Sequence, residues 1–137
     1  MANSTTVYAG QDGRSTVDVT ENKTLALADC GIVQNVITDA ITVTLPATAA
    51  GLQFTVRNGG VPKSGAPAGT GDDYSCLVTI SPNASDKFSG FAVTPADDKD
   101  MLNTKATARV GDELSFYSDG TDGWTIIRAK GTWARQG

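Results

Sequence analysis

Two short runs of alternating apolar and polar residues, joined by a few small residues, constrain the fold of this chain most. They are residues 41–45 (ITVTL) and 52–56 (LQFTV). In a β-strand successive side chains point to opposite faces, so each run presents one apolar face and one polar face. An apolar sheet face must be buried against another sheet or another chain. The stretch therefore predicts a β-hairpin with one face in a core.

Similar runs lie before and after this stretch. Residues 15–20 (STVDVT) and 23–28 (KTLALA) are separated by the turn signal Glu21-Asn22 and predict a second hairpin. Two further runs flank the sequence DGTDG, and alternating runs around Asp-Gly predict a third hairpin; these runs are residues 113–118 (ELSFYS) and 124–129 (WTIIRA). Single strands are expected at residues 76–81 (CLVTIS) and 104–109 (TKATAR).

The segment 32–37 is ambiguous by spacing alone. Its apolar residues Ile32, Val33, Val36 and Ile37 are placed so that one helical turn would bring them together. All four are β-branched, which disfavours the helical conformation. We therefore predict a strand here.

These patterns predict an all-β protein with about eight short strands and no substantial helix. The expected architecture is a compact, jelly-roll-like antiparallel β-sandwich or barrel. At 137 residues the chain fits one domain. We assign residues 1–14 to an N-terminal arm and residues 15–137 to a single β domain. Residues 57–75, rich in Gly and Pro, form a long loop that is either an interaction loop or a tolerated insertion.

Composition and charge exclude several classes of partner. The formal net charge is −4, whereas binding to phosphate backbones needs clustered Lys and Arg, so no nucleic-acid partner is expected. There is no apolar run of 18 residues, so no membrane partner is expected. The first residues lack the basic and apolar regions of a signal peptide, which predicts a protein made and kept in the cytosol, or assembled there into something larger.

The chain contains no histidine, which excludes Ser-His-Asp and Cys-His catalysis. Its two cysteines, Cys30 and Cys76, are too few for a disulfide framework. Cys76 is in phase with Val78 and Ile80, so a buried free thiol is expected. A Cys30–Cys76 bridge is the alternative.

Acidic residues could in principle bind calcium or cleave glycosides. The clusters at 97–100 and 119–122 lack the twelve-residue spacing of an EF-hand, and Asp-Gly clusters between strands are ordinarily hairpin turns. Nothing selects two carboxylates from the fifteen acids as a catalytic pair. We expect no metal, no cofactor and no enzymatic activity.

The C-terminal part of the chain has uneven charge and two tryptophans. Seven acids lie between Asp97 and Asp122, and only bases follow Gly123. This pattern indicates either solvated loops or a basic C-terminus that docks on an acidic neighbour, such as a second copy. Trp124, next to Ile126 and Ile127, is expected in the core. For Trp133 the expectations are a partner contact, a core position, or stacking on a ligand.

Several motifs together resemble a known group of proteins. They are VTLPA (43–47), GLQFTVRN (51–58), VTISP (78–82), SDGTDGW (118–124) and GTW (131–133). In this order they resemble small β modules of tailed-bacteriophage structural proteins over residues 40–137. These modules include capsid decoration (cement) proteins and fibre or spike domains. Because the chain has no repetitive shaft, it is more similar to a decoration protein.

The resemblance implies an oligomer, typically a homotrimer and sometimes a dimer, that binds the major capsid protein on the outside of the virion, after assembly in the host cytoplasm, and stabilises the shell. We expect the capsid contact at Tyr8, Gln11 and Arg14. The expected contacts between subunits are Trp133, Arg135, Phe88 and Phe91.

The main alternative is a trimeric fibre-tip or spike module that recognises a glycan or protein on the host surface. Its recognition surface would be the loop 57–75 with exposed aromatic residues. A small cell-wall hydrolase and a carbohydrate-binding module cut from a larger enzyme are less consistent with the sequence.

Overall fold

The computed structural model describes residues 3–10, 12–49, 51–61 and 74–137. Within these residues the chain forms two β-sheets, and the only helical element is a 3-10 turn at Leu27–Asp29. The first sheet has seven strands, in spatial order β1 (Tyr8–Ala9), β2 (Ser15–Val19), β4 (Val33–Val36), β6 (Gln53–Asn58), β10 (Glu113–Ser118), β11 (Gly123–Lys130) and β8 (Lys87–Ser89). The second has five, in order β12 (Ala134–Arg135), β9 (Met101–Asn103), β7 (Val78–Ser81), β5 (Ile41–Thr44) and β3 (Lys23–Thr24).

The predicted all-β, sandwich-like fold is therefore confirmed, with twelve strands in the described residues instead of about eight. The expected antiparallel pairing is wrong for half of the strand pairs. Five of the ten pairings are parallel: β2 with β4, β4 with β6, β3 with β5, β5 with β7, and β8 with β11. The other five are antiparallel.

From β2 to β7 the chain crosses between the sheets at every connection. The two hairpins predicted at residues 15–28 and 41–56 are therefore wrong. In each, the two consecutive strands lie in different sheets: β2 and β6 in the seven-stranded sheet, β3 and β5 in the five-stranded sheet. Both arrangements bury the same alternate side chains, such as Val43 on β5 and Phe54 on β6. Alternation alone does not distinguish them.

The second half of the chain matches its prediction more closely. Strands β10 and β11 form the expected antiparallel hairpin, with a bulge between Ser115 and Phe116. The ambiguous segment 32–37 contains strand β4. Residues 104–109, predicted as a strand, instead form a turn in which the N–H groups of Thr107 and Ala108 donate to the carbonyl of Thr104.

One apolar core lies between the two sheets. Its centre is a cluster of four aromatic side chains with ring centroids 5.5–6.3 Å apart: Phe54, Phe88, Phe116 and Trp124. Trp124 is fully buried, as the sequence predicted. Cys76 is also a buried free thiol, as expected, and burial raises its pKa to about 11. Cys30 is free as well, so the alternative bridge is not formed.

A buried amide network closes one end of the sandwich. The Nδ2 of Asn58 donates to the carbonyl of Cys76 and to Oδ1 of Asn103, each at 2.7 Å. Asn103 in turn donates to a carboxylate oxygen of Asp112 at 3.0 Å. Beside this network, the N–H of Val61 donates to the carbonyl of Tyr74 at 2.7 Å. The predicted loop 57–75 starts too early, because Arg57 and Asn58 belong to β6. The Val61–Tyr74 pair lies inside the predicted range, and residues 62–73 between them lie outside the described part.

The N-terminal segment lies along the edge of the seven-stranded sheet. Strand β1 pairs with β2 in antiparallel register. Nearer the terminus, Oδ1 of Asn3 accepts the N–H groups of Thr20 and Glu21 at 2.7 and 3.0 Å. The described part of the predicted arm is therefore docked on the β domain.

Candidate functional site

The outer face of the seven-stranded sheet carries a row of polar side chains. The strand register places Asp18 of β2 beside Asn35 of β4, and Asn35 beside Arg57 of β6. Glu113 of β10 lies next to Arg57, and Lys130 of β11 lies next to Glu113. Since side chains at paired positions point to the same face, five neighbouring strands contribute to one row.

Hydrogen bonds join one end of this row to strand β1. The hydroxyl of Tyr8 donates to Oδ1 of Asp18 at 2.6 Å, and Nδ2 of Asn35 donates to the same oxygen at 3.0 Å. The Nε of Arg57 donates to Oδ1 of Asn35 at 2.9 Å. Tyr8, Asp18, Asn35 and Arg57 thus form one continuous chain of side chains.

The other end of the row is tied to the loop between β1 and β2. Arg14 donates from its two terminal guanidinium nitrogens, Nη1 and Nη2, to the carboxylate oxygens of Glu113 at 2.8 and 2.5 Å. Its Nε donates to Oδ2 of Asp12 at 2.8 Å, and Nη1 of Arg57 reaches the same oxygen at 3.0 Å. Asp12 therefore bridges the two arginines.

A cleft of about 520 Å³ opens over this network. We call it the polar cleft; it is lined by Tyr8, Gly10, Asp12, Asn35, Arg57, Asn58, Gly59, Val110 and Gly111. Its volume lies within the range of small-molecule sites. Gly59 is needed for its shape, because a Cβ at this position would overlap the side chain of Asn35.

The network also shifts the protonation of its members. Hydrogen bonds from the backbone and the guanidinium of Arg14 hold the pKa of Asp12 below its usual value. The bidentate contact with Glu113 raises the pKa of Arg14. Burial, and then the hydrogen bond to Asp18, raise the pKa of Tyr8. At neutral pH the carboxylate of Asp12 is charged and the phenol of Tyr8 is a neutral donor.

The predicted capsid-contact residues fall partly on this face. Tyr8 is 39% exposed and lines the polar cleft. Arg14 is half-buried and bound to two carboxylates of its own chain. Gln11 lies outside the described residues.

The four predicted subunit contacts do not form one surface. Phe88 is enclosed in the core of its own chain and is not available to a second copy, because it lies on the inner face of β8. Phe91 is 57% exposed, and with the half-buried Trp133 it lines a cavity of about 210 Å³. Arg135 lies on β12, at the edge of the five-stranded sheet.

Sequence analysis missed Asp12, Asp18, Asn35 and Arg57. Three of them occupy the same place in strands that are neighbours in the seven-stranded sheet. Each is one residue before the end of its strand: Asp18 in β2, Asn35 in β4 and Arg57 in β6. A polar residue recurring at this position was the available signal. It becomes meaningful only when the strands are known to stack in parallel.

The calcium candidates of the sequence have other roles in the fold. Oδ1 of Asp119 accepts the backbone N–H groups of Thr121, Asp122 and Gly123, so this carboxylate shapes the β10–β11 turn. Asp97 pairs with Lys87 at 2.8 Å. Within the described ranges, no three acidic, cysteine or histidine side chains are grouped to hold a metal. Likewise, no helix in these ranges is long and apolar enough to cross a membrane.

The fold and the site define a two-sheet all-β protein with a polar cleft on the outer face of its larger sheet. Comparison with protein-family models, with curated proteins and with solved structures finds no match for this chain.

Proposed function

We propose that this chain is a structural protein of a tailed-bacteriophage virion, which binds the major capsid protein on the outside of the capsid and stabilises the shell. The observation that carries the proposal is an open, partly apolar surface beside strand β1. We call this surface the N-terminal edge and define it by β1, Val7 and the turn Leu27–Asp29.

The N-terminal edge offers both backbone and apolar groups to a partner. Strand β1 is the outermost strand of its sheet in the described residues. The outer side of such a strand presents backbone N–H and C=O groups that another chain can pair with. Val7 is 49% exposed and Leu27 is 74% exposed. Val7 and Ala28 also line a common groove of about 330 Å³.

Shell stabilisation follows from binding without any chemical step. A protein that binds only the assembled lattice stabilises it by mass action. Linked copies on a symmetric capsid site add avidity. For the homotrimer we propose a contact at Phe91 and Trp133, two aromatic side chains that line the same cavity. The proposed role is binding rather than enzymatic catalysis.

Co-sedimentation with empty capsid shells tests this proposal. The shells are assembled from the major capsid protein encoded in the same genome. Wild-type protein is expected to sediment with the shells at a fixed copy number per capsid subunit and to raise their melting temperature. The double variant Val7→Ser, Leu27→Ser should bind about tenfold more weakly, because it removes the exposed apolar groups of the edge.

Ile127→Ser is the matched control, since Ile127 is 50% exposed but lies on β11, away from the N-terminal edge. It should bind shells as the wild type does. Absence of co-sedimentation by the wild type would refute the function. An equal loss in the Ile127→Ser control would refute the assignment of the edge.

A further inference from the structure

The polar cleft has no net charge to offer a ligand. Its two charged lining residues, Asp12 and Arg57, bind each other at 3.0 Å. Beside them in the same polar row, Asp18 and Glu113 are balanced by Arg14 and Lys130. Four of these groups are bound to one another: Asp12 to both arginines, and Arg14 also to Glu113. An anion or a cation would have to disrupt these ion pairs, and the balanced charges would give it little net electrostatic attraction. The cleft therefore suits a neutral ligand.

The network nevertheless leaves hydrogen-bonding groups available. Arg57 uses Nε and Nη1 within the chain, and its Nη2 has no partner among the described residues. Asp18 accepts two hydrogen bonds on Oδ1, and its Oδ2 has none among those residues. A donor in the cleft lining, on Arg57, and an acceptor next to the lining, on Asp18, thus remain on either side of Asn35. Neighbouring hydroxyl groups, each of which donates and accepts, satisfy such a pair.

The cleft also has an apolar component. Tyr8 and Val110 both line it and remain 39% and 42% exposed. Aromatic side chains provide a large contact area at a low cost in conformational entropy. A ring that carries hydroxyl groups at its periphery and C–H groups on its face would contact both kinds of surface.

The polar groups of the cleft are held in place before a ligand arrives. The side chains of Tyr8, Asp18, Asn35 and Arg57 are linked by hydrogen bonds of 2.6–3.0 Å, and all four stand on paired strands. Prior fixation of contact groups reduces the entropy lost on binding.

From these features we propose that the polar cleft binds a neutral sugar unit of a glycan. This site takes only the first residues of the predicted recognition loop 57–75, namely Arg57, Asn58 and Gly59, and its other lining residues come from elsewhere in the chain. It adjoins the proposed capsid contact at Tyr8, which belongs to β1, but the apolar groups of that contact lie elsewhere. Val7 lines the groove of the N-terminal edge with Val17, whereas Tyr8 bonds to Asp18 on the outer face of the sheet.

A glycan array read with the purified full chain tests the proposal. The array carries neutral oligosaccharides of glucose, galactose, mannose and N-acetylglucosamine, together with sialylated and sulfated counterparts. We expect binding to at least one neutral glycan, and no tighter binding to its anionic counterpart. Titration of the free neutral oligosaccharide then gives the dissociation constant for the variants.

Two variants and a control locate the binding. Tyr8→Ala and Asn35→Ala, which remove the rim and the centre of the cleft, should each weaken binding about tenfold or more. If Tyr8→Ala fails to fold, Asn35→Ala still tests the binding site. Thermal unfolding shows whether each variant is folded. Tyr117→Ala should bind like the wild type, because Tyr117 is 43% exposed on β10 of the same sheet but does not line the cleft.

Three results would overturn the proposal: no binding to any neutral glycan, tighter binding to the anionic series, or an equal loss in Tyr117→Ala. The test uses no capsid shells, so its failure leaves the proposed function untouched. Failure of the shell experiment likewise leaves the cleft untouched.

Discussion

Asn58 is the residue on which one end of the molecule depends. It stands at the last position of β6, is fully buried, and points its amide toward the five-stranded sheet. Its Oδ1 accepts the N–H groups of Gly60 and Cys76, and its Nδ2 donates to Cys76 and Asn103. The side chain of Asn58 thereby holds the backbone on both sides of the Val61–Tyr74 pair, at Gly60 and at Cys76.

Asn58→Ala should lower the free energy of unfolding by about 3 kcal/mol or more, because buried partners left without hydrogen bonds each carry a desolvation cost. Chemical denaturation measures the change. Asn35→Ala, which also removes an asparagine but from the half-buried outer face, should cost about 1 kcal/mol. Equal costs for the two variants would show that the amide network does not hold this end together.

At the level of single elements, the turn after β8 has an unusual backbone. Gly90 and Val93 form an isolated bridge, and the N–H of Val93 donates to the carbonyl of Gly90 at 3.0 Å. Between them, Phe91 and Ala92 have φ values of +50° and +61°. Two consecutive left-handed residues are typical of a tight hairpin turn, a position that ordinarily holds Asn and Gly. The turn keeps the Phe91 ring exposed at its tip.

Ala92→Gly should raise the free energy of unfolding by about 0.5–1 kcal/mol, because glycine adopts the left-handed region without the steric cost that alanine bears. Thermal and urea unfolding measure it. Ala134→Gly is the control, an exposed alanine in β12 whose φ is not positive. Ala134→Gly should lower the free energy of unfolding by about 0.5–1 kcal/mol, because at this position glycine only increases the conformational freedom of the unfolded chain. A loss of stability in Ala92→Gly would contradict the account of the turn.

Across the whole molecule, the chain crosses repeatedly between two sheets that share one core. Ile80 of the five-stranded sheet and Trp124 of the seven-stranded sheet belong to the same buried cluster. The two sheets should therefore unfold together and not as separate layers.

Ile80→Ala should lower the free energy of unfolding by about 2–5 kcal/mol, as expected for a large-to-small change in a core. In a Trp133→Phe background, fluorescence reports Trp124 alone, and its transition should shift together with that of the far-UV circular dichroism. If the dichroism changed first while Trp124 kept its native signal, the two sheets would be separate folding units.

Alternation predicted most of the strands but not how they pair. Val43, Phe54 and Ile80 were correctly placed in the core because their period of two shows which face is buried. A short link such as residues 46–51 can turn within one sheet or cross to the other, and both choices bury the same residues. The hairpin at Asp119 was predictable because its turn chemistry is local. The polar cleft was not, because Asp18, Asn35 and Arg57 meet only through the parallel register.

The bond between Val61 and Tyr74 has a practical consequence for engineering. The amide nitrogen of Val61 and the carbonyl oxygen of Tyr74 lie 2.7 Å apart, so these residues form two adjacent stems. The nearby N–H groups of Gly60 and Cys76 both donate to Asn58. A foreign peptide grafted between these stems would be attached at two fixed neighbouring points, which we call the port. The β-sheets would not have to change with the length of the peptide. The port is thus a natural place to display an epitope or an affinity tag.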